Sequence, residues 1–196
     1  ASAGLICSPA LRDEKEKTKL WDCILHDQIQ TIGSDHCSFT LQPQKAIGLT
    51  DFRKVPGGLP GIELRYGLIH SSGVVDHRLA LTRWVDLCST MPAKAFGLYP
   101  RKGSLEVGAD ADIVVFDPGR DIKITQSLLH ENVDYTPYEE FSITAWPERV
   151  ILSGKTVVLD GELVAEHPAG EYVFCDTPKW RRNFPEDVQK VERHGK

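Results

Sequence analysis

The chain has 196 residues, of which 41% are hydrophobic and 26% are charged, and its formal net charge is −5. These proportions are those of a globular protein and exclude a disordered or collagen-like chain, while the acidic balance gives no electrostatic reason to expect nucleic acid as a partner. The length is too short for a complete (β/α)8 barrel, which needs about 250 residues, and the apolar runs are far shorter than the roughly 20 residues that cross a membrane.

The amino-terminal part predicts a strand, a helix and a second strand. The short apolar run at residues 5–7 is typical of a buried strand, residues 30–33 read as another short strand, and Asp13 is placed to cap the helix between them. This order within some 35 residues predicts parallel strands joined by a right-handed crossover.

Helical spacing continues beyond a Gly/Pro-rich loop at residues 55–61. Apolar residues recur at helical spacing in 62–69 and again in 78–87. Thr90 is placed as the N-cap of a further short helix, with Pro92 in its first turn, and that helix is expected to end before position 97.

The pattern changes to strands from about residue 103. Residues 112–117 form an apolar run with acidic ends, and residues 150–162 hold two tight turns between β-branched residues, which predicts a small antiparallel sheet. We therefore predict three parts, an α/β portion, a β portion and a charged tail that is solvated or contacts another subunit, at residues 1–103, 104–167 and 168–196.

Two features of the chain concern its origin. The amino end lacks an initiator Met and a signal peptide, so we expect the chain to begin within a longer protein. Its five cysteines are odd in number and show no C-x-x-C spacing, which favours a reducing, cytoplasmic compartment.

The strongest candidate for chemistry is Asp35, which follows the second predicted strand. A carboxylate at the carboxyl end of a parallel strand faces the side on which α/β barrels assemble their active sites, where it can bind a metal or take a proton from activated water. The alternative is that it only caps a turn. His36 points to the opposite face if Asp35 faces the site, so we expect it to hydrogen-bond within the loop or support a neighbour.

No other local motif predicts a complete site. The remaining histidines show no H-x-H or H-E-x-x-H spacing, so the chain cannot supply a catalytic zinc site by itself. No serine elbow or nucleotide-binding motif follows a strand, and the Gly57-Gly58 pair is more typical of a flexible loop than of a phosphate cradle.

A series of segments nevertheless resembles the hydantoinase/dihydropyrimidinase family of amidohydrolases. The segments occur in that family's order and cover nearly the whole chain except the last 20 or so residues. They are Cys7-Ser8-Pro9-Ala10-Leu11-Arg12, Ser34-Asp35-His36-Cys37-Ser38-Phe39, Pro60-Gly61-Ile62-Glu63-Leu64-Arg65, residues 92–103, Val107-Gly108-Ala109-Asp110-Ala111-Asp112-Ile113-Val114 and Asn132-Val133-Asp134-Tyr135-Thr136-Pro137-Tyr138-Glu139. The match is to the carboxyl-terminal part of the family.

The resemblance implies an α/β fold: the carboxyl-terminal portion of a (β/α)8 metal-dependent hydrolase barrel, followed by part of a small β-sandwich. It also implies two divalent metals, usually zinc, bridged by a carbamylated lysine. The lysine and four histidines that hold these metals lie upstream of the matched segment, and only Asp35 corresponds to a metal-site residue. In the family this Asp accepts and returns a proton while metal-activated hydroxide opens a cyclic amide to an N-carbamoyl amino acid.

Two substrate contacts of the family also have counterparts. Ser8 corresponds to a serine whose backbone groups hold the ring amide. Gly57 stands where the family has an Asn, so only its backbone can hydrogen-bond there. Ala10 replaces a common Pro. These departures affect specificity more than chemistry.

Two further groups are expected to be structural. Asp110 and Asp112 resemble the family's crossing into the sandwich, where acids lie at turns and strand edges. Tyr135 and Tyr138 are expected to pack beneath a long loop.

The sequence therefore predicts part of a cytoplasmic, metal-dependent cyclic amidase that acts on hydantoin, dihydropyrimidine or a related ring. The resemblance also implies a homo-oligomer, a tetramer in the family. The alternative is a non-catalytic assembly protein of the same fold. The 196 residues alone are expected to be inactive and to fold poorly, since several barrel strands would have unpaired edges.

Overall fold

The computed structural model describes residues 3–166 and 170–176. Its first helix, α1, spans Glu14–Leu25. The Asp13 carboxylate accepts hydrogen bonds from the backbone N–H groups of Lys15 and Glu16, both at 3.1 Å, which confirms the predicted cap. Short 3-10 helices lie in the loops, at Ala3–Leu5, Lys45–Gly48, Phe52–Lys54 and Gln126–Leu128.

The prediction of one strand before α1 and another after it is wrong. Residues 3–5 form a 3-10 turn, and residues 30–33 have no regular secondary structure. A strand needs a ladder of hydrogen bonds to a neighbour, whereas the backbone of residues 30–33 is tied to the helical layer by one such bond, from Ile32 N–H to the Leu87 carbonyl at 3.0 Å. Within the described ranges, parallel pairing is found only as an isolated bridge between His36 and Leu59.

The middle of the chain forms two longer helical stretches. Helix α2, at Arg65–Ile69, continues as a π-helical turn at His70–Val75. The second stretch runs without interruption through α3 at Leu81–Val85, a π-helical turn at Asp86–Thr90 and α4 at Met91–Ala95.

The predicted cap at Thr90 is wrong, whereas the predicted helix end is confirmed. Thr90 has helical backbone angles, because the packed helix continues through it, and its hydroxyl donates instead to the Gly103 carbonyl at 2.9 Å. Gly97 has φ +71° just after α4, and the Leu98 N–H returns to the Ala93 carbonyl at 2.8 Å. A left-handed glycine in this position is a common helix terminator.

The antiparallel sheet is found as predicted, with four strands in chain order. They are β1 Ile113–Lys123, β2 Ser142–Leu152, β3 Lys155–Leu159 and β4 Glu162–Leu163. Both predicted tight turns are present, at Ser153-Gly154 and Asp160-Gly161. All four residues have positive φ, as a two-residue hairpin turn of the primed type requires.

Two apolar clusters hold these elements together. The first lies among the helices and is formed by Ile24, Leu79, Trp84, Leu87 and Cys88. The second joins α2 to the sheet and is formed by Leu64, Ile124, Ile143 and Trp146. Trp84 and Phe116 meet edge to face with ring centroids 5.2 Å apart, so the helical cluster also reaches β1.

The acids at the start of the sheet are structural, as predicted. Lys102 forms ion pairs with both Asp110 and Asp112. The Lys102 and Arg101 side chains lower the pKa of Asp110 by hydrogen bonding to its charged form. Asp112 also accepts the Ser153 N–H at 2.8 Å, which anchors the first tight turn.

Little of the predicted tail can be described. Most of it, residues 168–169 and 177–196, lies outside the described residues. Within residues 170–176, the Asp176 N–H donates to the Gly97 carbonyl at 3.0 Å. Across the described ranges, no helix combines the length and apolar character that a membrane crossing requires.

Candidate active site

Three chain segments that carry the predicted site residues lie side by side. The Gly58 N–H donates to the Ile6 carbonyl at 3.1 Å, and the Cys37 N–H donates to the Leu59 carbonyl at 2.9 Å. Residues 57–59 therefore lie between residues 6–8 and residues 36–37. Asp35, at the amino side of this last segment, is carried to the same region.

The two predicted substrate contacts are neighbours in space. A Cβ atom added to Gly57 would lie 3.7 Å from the Ser8 nitrogen and 3.9 Å from Ser8 Cβ. Both residues are exposed. The tertiary structure thus brings together two backbone segments that are 49 positions apart in the sequence, and it leaves their polar groups accessible to a ligand.

Asp35 is exposed and has an uncommon backbone conformation, with φ +46°. Asp tolerates this left-handed region better than most residues because its short side chain can hydrogen-bond locally. Residues in such conformations occur often at functional sites, where the surroundings hold them in place.

His36 is held by the loop that follows the parallel bridge. Its Nδ1 accepts hydrogen bonds from the N–H groups of Gly61 at 3.2 Å and Ile62 at 3.4 Å. An accepting Nδ1 carries no proton, so the proton of the neutral ring is on Nε2. The ring is therefore fixed in one orientation and one tautomer next to Asp35.

The described residues include a possible metal ligand but no complete metal site. Within residues 3–166 and 170–176, no group of three or more His, Cys, Asp or Glu side chains could hold a metal ion. The exposed Asp35 carboxylate can contribute oxygen to a divalent cation, but a zinc site needs at least three protein ligands.

Lys45 is a buried charged residue beneath these segments that the sequence did not predict. Its side chain has no exposed surface, and its Nζ donates to the carbonyls of Ile6 and Pro56, both at 2.9 Å. Burial lowers the pKa of its ammonium group. No local signal could have revealed it, since residues 42–45 have the composition of an ordinary polar loop.

The comparisons with known proteins identify the class. Residues 2–157 match the family model described as the amidohydrolase family. The chain belongs to this family of enzymes.

Individual relatives within this family are named as hydantoinases. The chain is 43% identical over 171 residues to a D-hydantoinase of Geobacillus stearothermophilus, and 40% identical over 168 residues to a D-phenylhydantoinase of Escherichia coli O1:K1. These matches cover 87% and 86% of this chain but 36% of each relative. The chain thus spans about a third of the length of the curated relatives it matches.

Solved structures agree with this assignment. A crystal structure of D-hydantoinase matches with a TM-score of 0.81 and 42% identity, over 83% of this chain and 35% of that chain. The dihydropyrimidinase of Brevibacillus agri NCHU1002 matches with a TM-score of 0.81 and 40% identity over the same shares. The family and these structures support the barrel fold of the metal-dependent hydrolases.

Proposed function

We propose that this chain is the carboxyl-terminal part of a longer hydrolase, called the parent below, that opens the C–N amide bond of a cyclic amide to an N-carbamoyl amino acid. The observation that supports the proposal is that residues 57–59 lie between the Ser8 segment and residues 36–37, which directly follow Asp35 in the chain. The names of the relatives, D-hydantoinase, D-phenylhydantoinase and dihydropyrimidinase, support a hydantoin or dihydropyrimidine ring as the substrate.

The parts of the chain would have different tasks in the parent. Residues 1–103 would complete a (β/α)8 barrel, residues 104–167 would belong to a β-sandwich, and residues 168–196 would contact a neighbouring subunit of a cytoplasmic homo-oligomer. The change from helices to an antiparallel sheet after residue 103 supports this division.

Asp35 would hold one of two divalent metals, with zinc as the expected ion, and the remaining ligands, a carbamylated lysine among them, would come from upstream of residue 1. When bound, the metals would polarise the amide carbonyl and lower the pKa of water. A carboxylate next to two cations stays ionised. The Asp35 carboxylate would therefore accept a proton from the attacking water and return it to the ring nitrogen as the C–N bond breaks.

The neighbouring residues would bind and orient the ring. The exposed backbone groups of Ser8 and Gly57 are close enough to contact one small ring together, and backbone contacts require no side chain at position 57. His36, held by two backbone N–H groups, would keep the Asp35 segment in place. Its role beside a metal stays a prediction.

The test is ring opening by the parent and its Asp35→Asn variant. The wild-type parent is expected to contain two metals per chain and to hydrolyse hydantoin, phenylhydantoin or dihydrouracil. The substitution removes the proton acceptor, so kcat is expected to fall by about 10²-fold to 10⁴-fold. Asp76→Asn, at an exposed position after the π-helical turn, is the matched control and is expected to keep full activity. Undiminished turnover in Asp35→Asn with its metals still bound would exclude Asp35 from the mechanism.

A further inference from the structure

We propose that Lys45 is a positioning residue that sets the orientation of the substrate-binding backbone at Gly57 and Ser8. The inference rests on the proposed function, because it concerns the same ring-binding segments. Lys45 does not reach the ring in this proposal; it acts through the two carbonyl groups that it holds.

Lys45 fixes the orientation of the peptide unit between Pro56 and Gly57. Lys45 Nζ donates to the Pro56 carbonyl at 2.9 Å. This carbonyl belongs to the same peptide unit as the Gly57 N–H, and the bond is not among the cis peptides of the chain. In a planar trans peptide the C=O and N–H groups point in opposite directions. A carbonyl turned inward to Lys45 therefore turns the Gly57 N–H away from it, toward the exposed side.

The same ammonium group also holds the segment that precedes Ser8. Its other hydrogen bond goes to the Ile6 carbonyl at 2.9 Å, and that carbonyl also accepts the Gly58 N–H at 3.1 Å. Lys45 thus connects the segment before Ser8 with the segment before Gly57 through two hydrogen bonds from one ammonium group. The close approach of Gly57 to Ser8 would therefore depend on both hydrogen bonds.

Burying the positive charge of Lys45 costs free energy. Lys45 is fully buried, and none of the ion pairs found within residues 3–166 and 170–176 includes it. An ammonium group without a carboxylate partner is expensive to remove from water, so its burial depends on the two carbonyl acceptors that it meets here. What the lysine provides, and an apolar residue cannot, is several donors at one point.

The kinetic effect of losing Lys45 depends on whether the backbone contacts to the ring form in the ground state or only in the transition state. If Ser8 and Gly57 hold the ring equally in the ground state and in the transition state, their displacement raises KM and leaves kcat largely unchanged. Asp35, which would hold a metal, lies on another segment, so its part in the chemistry would be unchanged. A structural defect alone would instead reduce the amount of active enzyme, which lowers the apparent kcat at constant KM.

The experiment measures KM and kcat for hydantoin ring opening by the metal-loaded parent. Lys45→Met, which keeps the apolar stem and removes the donors, is expected to raise KM by about ten-fold or more with less than a three-fold change in kcat. Lys45→Gln, which keeps two shorter donors, is expected to give a smaller rise and serves if the methionine variant does not fold.

Two controls separate positioning from charge and stability. Lys19→Met removes the same charge from the exposed face of α1, where Lys19 pairs with Glu16, and is expected to leave KM unchanged. Ile143→Ala opens a cavity in the cluster between α2 and the sheet and is expected to lower the melting temperature without raising KM.

The outcomes are distinguishable. An active wild-type parent with an unchanged KM in both Lys45 variants would overturn the positioning role and leave the proposed function in place. A metal-loaded wild-type parent that opens none of the rings would overturn the proposed function and this inference with it.

Discussion

Gly58 lies directly against Cys37, the residue that follows His36. A Cβ atom added to Gly58 would be 2.4 Å from Cys37 Cβ and 2.7 Å from Cys37 Sγ, and the backbone at Gly58 has φ +149°. Both the space and the backbone conformation therefore require glycine. The contact explains how the loop that carries Gly57 approaches the Asp35 segment so closely.

Gly58→Ala is expected to lower the free energy of unfolding of the parent by at least 1 to 3 kcal/mol, the range typical of overpacking, and to raise KM because the loop must move. Thermal melting and steady-state kinetics would measure the two effects. Gly119→Ala is the control, since its added Cβ would meet only the Asp117 carboxylate, at 3.6 Å. Equal melting temperatures for the two variants would contradict the close contact.

The N-cap of α1 gives a local prediction. Asp13→Ala removes the acceptor for two N–H groups of the first turn, and the expected loss is about 1 kcal/mol of helix stability. Hydrogen exchange should accelerate by about five-fold for the α1 amides that open with that turn. Asp13→Asn keeps an acceptor oxygen and should exchange almost as slowly as the wild type.

Leu64 provides a test of the cluster between α2 and the sheet. The residue is fully buried there, against Ile124 and Ile143. Leu64→Ala is expected to destabilise the parent by about 2 to 5 kcal/mol, the range for a large-to-small change in a core. Leu105→Ala makes the same change at a position that is 82% exposed and should stay within about 0.5 kcal/mol of the wild type. Thermal melting of both variants decides the comparison.

A pH-dependent ion pair connects the start of α2 with the loop between β1 and β2. The His130 N–H and Nδ1 contact the two Glu63 oxygens at 2.6 Å and 2.8 Å. The hydrogen bond to Glu63 and its negative charge raise the pKa of His130. A raised pKa in the folded state means that the pair stabilises the protein below the ordinary histidine pKa of about 6.5 and loses this effect as the pH rises above it.

The melting temperature of the parent should therefore exceed that of His130→Gln by the most near pH 5.5, and the difference should shrink toward pH 8.5. The difference is expected to be small, because the His130 side chain is 66% exposed. Glu63→Gln removes the partner and should abolish the same pH dependence. If the melting temperature of the parent exceeded that of His130→Gln by more at high pH than at low pH, the ion pair between His130 and Glu63 would be contradicted.

The sequence by itself determined the features that depend on neighbouring residues. The Asp13 cap, the helix end at Gly97 and the two hairpin turns were all predicted correctly. Each depends on one or two residues whose backbone preference is strong, such as a carboxylate that accepts the first N–H groups or a glycine with positive φ. The family was also recognisable, because its segments occur in order along the chain.

Only the tertiary structure decided what depends on distant residues. The segments at residues 5–7 and 30–33 did not form the predicted strands, because strand formation requires a partner that local pattern does not supply. The contact between Ser8 and Gly57 and the burial of Lys45 likewise arise from segments far apart in sequence. A lysine in a polar loop is usually solvated, and here folding brings together two carbonyl groups that accept hydrogen bonds from the buried ammonium group.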